Sequence, residues 1–463
     1  MAEGADGNPW KARDRGTPQG DVVSLRLGET LILPEPAVSR SRSIRPPLMG
    51  LALALQLALP VADAQESLLG ADLPALLDYA RSHNVEYSAM RLEAEAANER
   101  IGPAGALPDP KLQIELRDIT KMGEQDPTLV PSRVGSTRYL LMQDFPWLGK
   151  RGLRKGVASS EAKATESLAR GGWTELASLI RQTHLQRYFL AQSEKLTEEQ
   201  LALMSRLEKI AQARYAGGLA PQADVIRAQL EQNAMRTELI NIAGERTALA
   251  TMLNALLNRA TTAPLVEAQT LPAVPRAEGM SMGQLMERLR ANNPQLAVES
   301  DRIAAAEQKR DLIYRDRYPD LSFGVAPIQS GNSISEWELM FQVNIPLQQG
   351  TRRSQEREAT AMLAAARARQ EAAAHRLLGE LAGNLTAYQT AQRSEALVRA
   401  TVLPQSELSF QSALAGYETG QVDFAALLDA QRQITQAHLN QLQAQAEQHR
   451  RLTEIEKLIG EAL

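Results

Sequence analysis

Two hydrophobic periods alternate along this chain. Trp337, Leu339, Phe341, Val343 and Ile345 alternate with Glu338, Met340, Gln342 and Asn344, a period of two that gives a strand one apolar and one mostly polar face. Leu112, Ile114 and Leu116 alternate in the same way with Lys111, Gln113, Glu115 and Arg117. Less regular partners follow or precede them across polar loops at about 119–136 and 327–335. The pattern therefore predicts two hairpins, with strands at about 110–118, 137–145, 319–326 and 336–345. After each hairpin the period lengthens to that of a helix. From Arg151 to about Tyr215 roughly 65 residues run without proline, and from Thr351 to Tyr417 a similar stretch is broken once, at Pro404. At a rise of 1.5 Å per residue each run approaches about 100 Å, which no compact domain needs. Alanines such as Ala359, Ala361, Ala364, Ala365, Ala366 and Ala368 let helices approach closely, so the runs read as coiled coil.

Both runs end in a tight turn and a return helix. In Tyr215-Ala216-Gly217-Gly218-Leu219-Ala220-Pro221 a glycine supplies a left-handed cap and Pro221 suits the start of the next helix. Tyr417-Glu418-Thr419-Gly420-Gln421 repeats the glycine. The repetition is general. At an offset of 209, Asp72, Leu76, Arg81, Asn84, Pro110 and Leu112 fall on Ser281, Leu285, Arg290, Asn293, Pro319 and Leu321. The offset becomes 200 at Phe145-Pro146 and Ile345-Pro346, then 202 where Tyr215, Gly218, Ala228 and Gln229 fall on Tyr417, Gly420, Ala430 and Gln431. The chain is thus divided into a first repeat, 65–270, and a second, 271–463. Each reads as capped helix, hairpin, long helix, turn and return helix, with Asp72 and Ser281 as the opening caps.

The 463 residues before processing include a different kind of segment. Arg40, Arg42 and Arg45 precede the uncharged stretch 46–62 and a small-residue site, Ala62-Asp63-Ala64, the layout of a secretory signal peptide at 40–64. Residues 1–39 are an upstream extension, polar and proline-bearing. No later segment reads as an apolar membrane helix, so any spanning must be done by strands. Four strands cannot close a barrel, and an open edge is not tolerated in lipid. Two, three or four copies would supply 8, 12 or 16 strands, all of them even numbers.

Composition removes several functions. There is no cysteine, hence no disulfide, thiolate metal site or cysteine nucleophile. With 51 basic against 55 acidic residues, no electrostatic case exists for nucleic acid. Gly279-Met280-Ser281-Met282-Gly283 matches the spacing of a hydrolase nucleophile elbow, but no strand precedes it and a capping box with Gln284 accounts for it. His83, His184, His375, His438 and His449 are scattered without metal-ligand spacing, and Met280, Met282 and Met286 surround a helix start where they can simply pack. Lys150-Arg151 and Arg352-Arg353 follow Gly149 and Gly350 where strands hand over to helices and read as periplasmic interface charges; Gly149-Lys150-Arg151 lacks the earlier glycine and the Ser/Thr of a phosphate loop. The expectation is a non-enzyme without cofactor or resident metal.

The duplicated order, with Tyr215-x-x-Gly218 and Ala228-Gln229 matched by Tyr417-x-x-Gly420 and Ala430-Gln431, resembles the TolC family of outer-membrane efflux channels. Pro110 and the run from Gln143 to Lys150 are similar to members of heavy-metal efflux pumps. The resemblance implies a mainly α protein with a small β part, a homotrimer forming a 12-stranded β-barrel in outer-membrane lipid and an α-helical tunnel through the periplasm. It implies a periplasmic adaptor and an inner-membrane pump of the resistance-nodulation-division type as partners, and an exit duct for small molecules or heavy-metal cations. The alternatives are the outer-membrane component of type I protein secretion and a periplasmic coiled-coil adaptor or scaffold. By position in the family, Asp224, Tyr417 and Asp429 belong to the periplasmic gate, and Gly217, Gly218, Leu219, Thr419, Gly420 and Gln421 to turns that touch the adaptor. The family's gate arginine falls on or near Val422, and Ala426 replaces a second ring aspartate, with Asp423 as a candidate substitute. Symmetry copies of a carboxylate in a narrow pore would favour cations and raise one another's proton affinity.

Overall fold

A computed structural model describes residues 69–271, 273–275 and 280–463. The upstream extension, the signal segment and Gly279 lie outside the described residues. The first repeat opens with helices α1 (Leu73–His83), α2 (Val85–Glu99) and α3 (Ile101–Gly105), followed by strands β1 (Lys111–Arg117) and β2 (Ser136–Phe145). Then come the long helix α4 (Lys150–Ala216) and its return partner α5 (Gln222–Leu256). The second repeat runs α6 (Met282–Asn292), α7 (Pro294–Arg315), β3 (Asp320–Ser330), β4 (Ser333–Asn344) and α8 (Gln349–Leu397). A π-helical turn at Val398–Val402 joins α8 to α9 (Leu403–Thr419), and α10 (Phe424–Ile459) returns.

The duplication extends to individual hydrogen bonds. Asn84 caps α2 by accepting from the Tyr87 amide at 2.8 Å and donates through Nδ2 to the Leu256 carbonyl at 2.9 Å. Its counterpart Asn293 caps α7 through the Leu296 amide at 3.0 Å and donates to the Leu458 carbonyl at 2.8 Å. Each buried asparagine thus satisfies an orphan amide of one helix and an orphan carbonyl at the end of its repeat's return helix. Beside them sit matching cores. Leu76, Ala80, Ile180, Leu253 and Leu257 cluster in the first repeat; Leu285, Leu289, Leu381, Ile455 and Ile459 cluster in the second. Met280, Met282 and Met286 pack against that second cluster.

The opening caps differ. Asp72 accepts from the Ala75 amide at 3.3 Å, whereas the Ser281 side chain makes no hydrogen bond to the first turn of α6. This corrects the capping box expected at Ser281. The short helix is held instead by burial of Leu285 and Leu289.

The strands form one antiparallel sheet in the order β1-β2-β3-β4. The strand expected to stop at Ala326 continues through Pro327, which pairs in register with Trp337, and the β3–β4 connection shrinks to a tight turn where Gly331 takes φ +62°. Proline normally ends a strand because it cannot donate to the ladder; here a register shift at Ile328/Gln329 accommodates the irregularity. Register places the exposed apolar side chains and the ion pairs on opposite faces. One carries Leu112, Ile114, Leu141, Phe323, Trp337, Leu339 and Phe341, all exposed. The other carries ions: Arg138 reaches Glu338 at 2.8 Å and Glu115 at 3.7 Å, and Lys111 reaches Asp144 at 2.8 Å.

Sheet and coils are joined by a buried lysine. Lys150, only 2% exposed, lies 2.9 Å from Asp320 and 3.3 Å from Asp316, and donates to the Tyr318 carbonyl at 3.1 Å. Trp147 stacks on Tyr318 with ring centroids 5.3 Å apart. The end of β2 is thereby tied to the start of β3, one repeat to the other. Among the described residues no helix is long and apolar enough to cross a membrane.

Candidate gate at the helix turns

The far ends of the two long helical runs meet. Gly218 with φ +69° and Gly420 with φ +78° turn the chain after α4 and α9, a conformation that costs an L side chain roughly 1–2 kcal/mol. The turns are set on an apolar cluster of Met204, Leu207, Ala211, Ala228, Tyr417, Phe424, Leu427 and Leu428, which draws residues from α4, α5, α9 and α10. The rings of Tyr417 and Phe424 lie 5.2 Å apart.

Within this cluster the structure brings together two of the residues expected at the gate. Tyr417 is 2% exposed and Asp224 6%, and the Tyr417 hydroxyl donates to Asp224 Oδ2 at 3.4 Å. Burial first, and then the negative charge of Asp224, push the Tyr417 hydroxyl above its ordinary pKa, so it stays a donor at neutral pH. Arg227 approaches the other Asp224 oxygen at 4.0 Å. Asp423 caps α10, accepting from the Ala426 amide at 2.8 Å. Asp429 lies apart from the Tyr417–Asp224 pair, with a side chain 68% exposed and Arg432 3.7 Å away. Arg432 also pairs with Glu231, bridging α10 to α5. Of the turn residues, Gly217, Gly218, Leu219, Thr419, Gly420 and Gln421 are all exposed.

A residue that sequence reasoning missed lies at the centre. Arg214 donates to the Glu418 carbonyl at 2.8 Å and to the Leu219 carbonyl at 3.3 Å, and its guanidinium carbon sits 4.9 Å from the Tyr417 ring centroid. The duplication hid it, because its counterpart at the offset of 202 is Gly416. The available signal was its place next to Tyr215, in the last turn of a helix whose final carbonyls attract cations. Nearly two turns further back, Glu208 accepts from Gln229 at 2.8 Å and Gln232 at 2.6 Å; these amide donors hold its carboxyl below the usual range. Gln431, the repeat partner of Gln229, is buried and donates to Gln200 at 2.9 Å. Among the described residues no group of three His, Cys, Asp or Glu side chains is placed to hold a metal ion.

A duplicated hairpin carried on long coils, with paired turns at the far end, is the fold of outer-membrane channels. The chain resembles the solved outer-membrane channel OprN with a TM-score of 0.72 at 20% identity, covering 84% of this chain and 89% of that one. It resembles the structure of CusC with a TM-score of 0.72 at 16% identity, covering 84% and 92%. Residues 285–461, within the second repeat, match the family model described as outer membrane efflux protein. Over 401 residues, 84% of this chain and 90% of the relative, the sequence is 24% identical to the cobalt-zinc-cadmium resistance protein CzcC of Cupriavidus metallidurans.

Proposed function

We propose that the protein is the outer-membrane exit duct of a tripartite efflux system for heavy-metal cations. Three copies set their four-stranded sheets edge to edge as a 12-stranded barrel, and the coils continue the bore through the periplasm. The observation that carries this reading is the sheet: large apolar side chains exposed on one face, ion pairs on the other, and unpaired outer edges on β1 and β4. In lipid such edges must be closed by further strands. A charged lumen and an apolar outer belt are what a transmembrane barrel requires. The duct is passive and has no catalytic centre; an inner-membrane pump of the resistance-nodulation-division type supplies the energy, and an adaptor meets the turns around Leu219 and Gln421. Asp224 and Tyr417 secure the turns of each protomer, and three copies of Asp429 line the mouth. The metal class rests on the likeness to the cobalt-zinc-cadmium resistance protein.

The test is deletion of the gene with fractionation of the complemented strain. Heat-modifiable trimers in the outer membrane, and sensitivity to zinc, cadmium or cobalt on deletion, are the expected results. A soluble elongated oligomer would replace the duct by a periplasmic scaffold. Unchanged metal tolerance alongside lost tolerance of organic compounds would remove the metal assignment.

A further inference from the structure

We infer that the coils hold a binding recess for an amphipathic organic cation, a second class of passenger beside metal ions. Its place in the bore rests on the duct reading; the recess itself does not. A cavity of about 660 Å³ lies over α4 between α5 and α10, within the size range that small molecules occupy. Its floor includes Phe189, Leu249, Leu439 and Leu442, each only partly buried. None of the four belongs to the three apolar clusters that hold the helices together. Along α4 the recess falls between the cluster around Ile180 and the one around Met204. The chain's own packing therefore leaves this apolar surface for a ligand to cover.

The helical period fixes which side of α4 carries the recess. Ile180 packs with Leu76 and Leu253, and Arg187 pairs at 2.9 Å with Glu267 of the segment joining the repeats, so that side is covered. Nine residues at about 100° each put Phe189 half a turn round from Ile180. There α5 and α10 flank α4 closely enough for all three helices to line one cavity. In a wall of helices bent into a tube, flanking helices converge on the inner side, so the recess opens to the bore. Its charges do not cancel. Glu447 is already engaged, accepting from Arg450 twice at 2.8 Å and from Arg451 at 2.6 Å. Glu245, exposed at the α5 rim, has no hydrogen-bond or ion-pair partner among the described residues. One carboxylate is thus left over beside an apolar floor. A bare metal ion gains nothing from leucines. An onium ion with an apolar body gains burial on the floor, attraction to Glu245 and contact with the Phe189 ring. An anion of the same shape meets Glu245 as a like charge.

The test uses the full-length assembly in nanodiscs, with tetraphenylphosphonium and the isosteric anion tetraphenylborate as probes. Equilibrium dialysis is read against empty nanodiscs of the same lipid. Tetraphenylphosphonium should bind above that baseline and tetraphenylborate should not. Glu245→Gln should weaken binding of the cation about fivefold. Ala248→Trp, which fills the cavity from its α5 wall, should abolish binding with every charge in place. Both positions are exposed, so assembly yield and thermal midpoint should match the parent. No cation binding above the lipid baseline, or unchanged affinity in Ala248→Trp, overturns the recess. Equal binding of the two probes, or unchanged affinity in Glu245→Gln, overturns the choice of a cation. Should Ala248→Trp fail to assemble, Ala446→Phe fills the same cavity from α10. In planar bilayers tetraphenylphosphonium should reduce the single-channel current of the parent and leave that of Ala248→Trp unchanged. A parent current indifferent to the bound probe overturns the placement in the bore. A parent that does not conduct at all overturns the duct reading instead, and dialysis then judges the recess alone.

Discussion

The Tyr417 hydroxyl has one acceptor, the Asp224 carboxylate, and the pair is buried. Tyr417→Phe removes the donor and leaves the acid short of a partner. At 3.4 Å the bond is long, so a loss of about 1 kcal/mol is expected, read as a lower thermal midpoint of the assembly together with increased leak through the mouth. Asp429 should behave in the opposite way. Its exposed pairing with Arg432 contributes little to stability, so Asp429→Asn should leave the midpoint unmoved but lower the preference for cations, measured as a shift in reversal potential across a salt gradient. The histidines add a pH dependence. Burial lowers the pKa of both His184 and His449 below the ordinary value, so the unfolded chain takes up protons near pH 6.5 while the folded chain still resists them. Stability is therefore full above about pH 6.5 and falls as the pH drops toward the lower folded values. His184→Gln combined with His449→Gln should flatten the change in thermal midpoint between pH 7.5 and 5.5. Tyr417 and Asp224 were legible in the sequence because family position marks them. Arg214 was not, since its task is to bind main-chain carbonyls, which leave no trace in residue type, and its repeat partner is a glycine.

Repeat-wide offsets foretold one difference between the two long runs without revealing its form. The offset grows from 200 at the strand ends to 202 at the turns, so the second run must accommodate extra residues while keeping its packing register. Helix α4 is unbroken over 67 residues, whereas the second run contains the π-helical turn at Val398–Val402, just before Pro404. A π-turn takes up one surplus residue inside an otherwise regular helix, one of the two by which the offset grows. Pro404 does not break the run: the backbone stays helical from Leu397 through Leu403, and the irregularity is the π-turn just before the proline, whose missing amide leaves an upstream carbonyl without its ladder partner. The π-turn was not legible, since nothing in composition distinguishes Val-Arg-Ala-Thr-Val from α-helix. Deleting Ala400 removes a surplus residue and keeps the register beyond the turn, so it should be tolerated better than a deletion in regular helix, with the cost of the missing Pro404 amide remaining. Deleting Ala365 from regular α8 turns everything beyond it by about 100° and should abolish assembly. Trimer yield in outer-membrane fractions discriminates the two. Strand limits show the reverse difficulty: alternation located β4 well, but Pro327 concealed how far β3 extends.

Across the molecule, the sheet is the part that the proposed duct would set in the membrane. Leu339 is 87% exposed on the apolar face, while its neighbour along the chain but one, Phe341, continues the same belt. Leu339→Arg should cost about 2–4 kcal/mol at the bilayer midplane and deplete the assembled form, whereas Gln342→Arg on the ionic face should assemble normally and change only conductance. The duplication, the hairpins and the coils were all legible because each repeats a simple period. How the sheets of the proposed ring would meet was not, because a chain's pattern records its faces and not its neighbours. The strand order β1-β2-β3-β4 leaves two unlike margins. Copies inserted in the same direction would run parallel if β4 met β4, while β4 meeting β1 keeps every pairing antiparallel, so the proposed ring closes head to tail. Such a ring needs no two-fold pair on the way, and each subunit must offer both margins intact. A subunit with one margin blocked would poison every ring it enters. In a merodiploid making equal amounts of sound and blocked chains, only about one ring in eight would be free of the blocked kind, so resistance should collapse far below half.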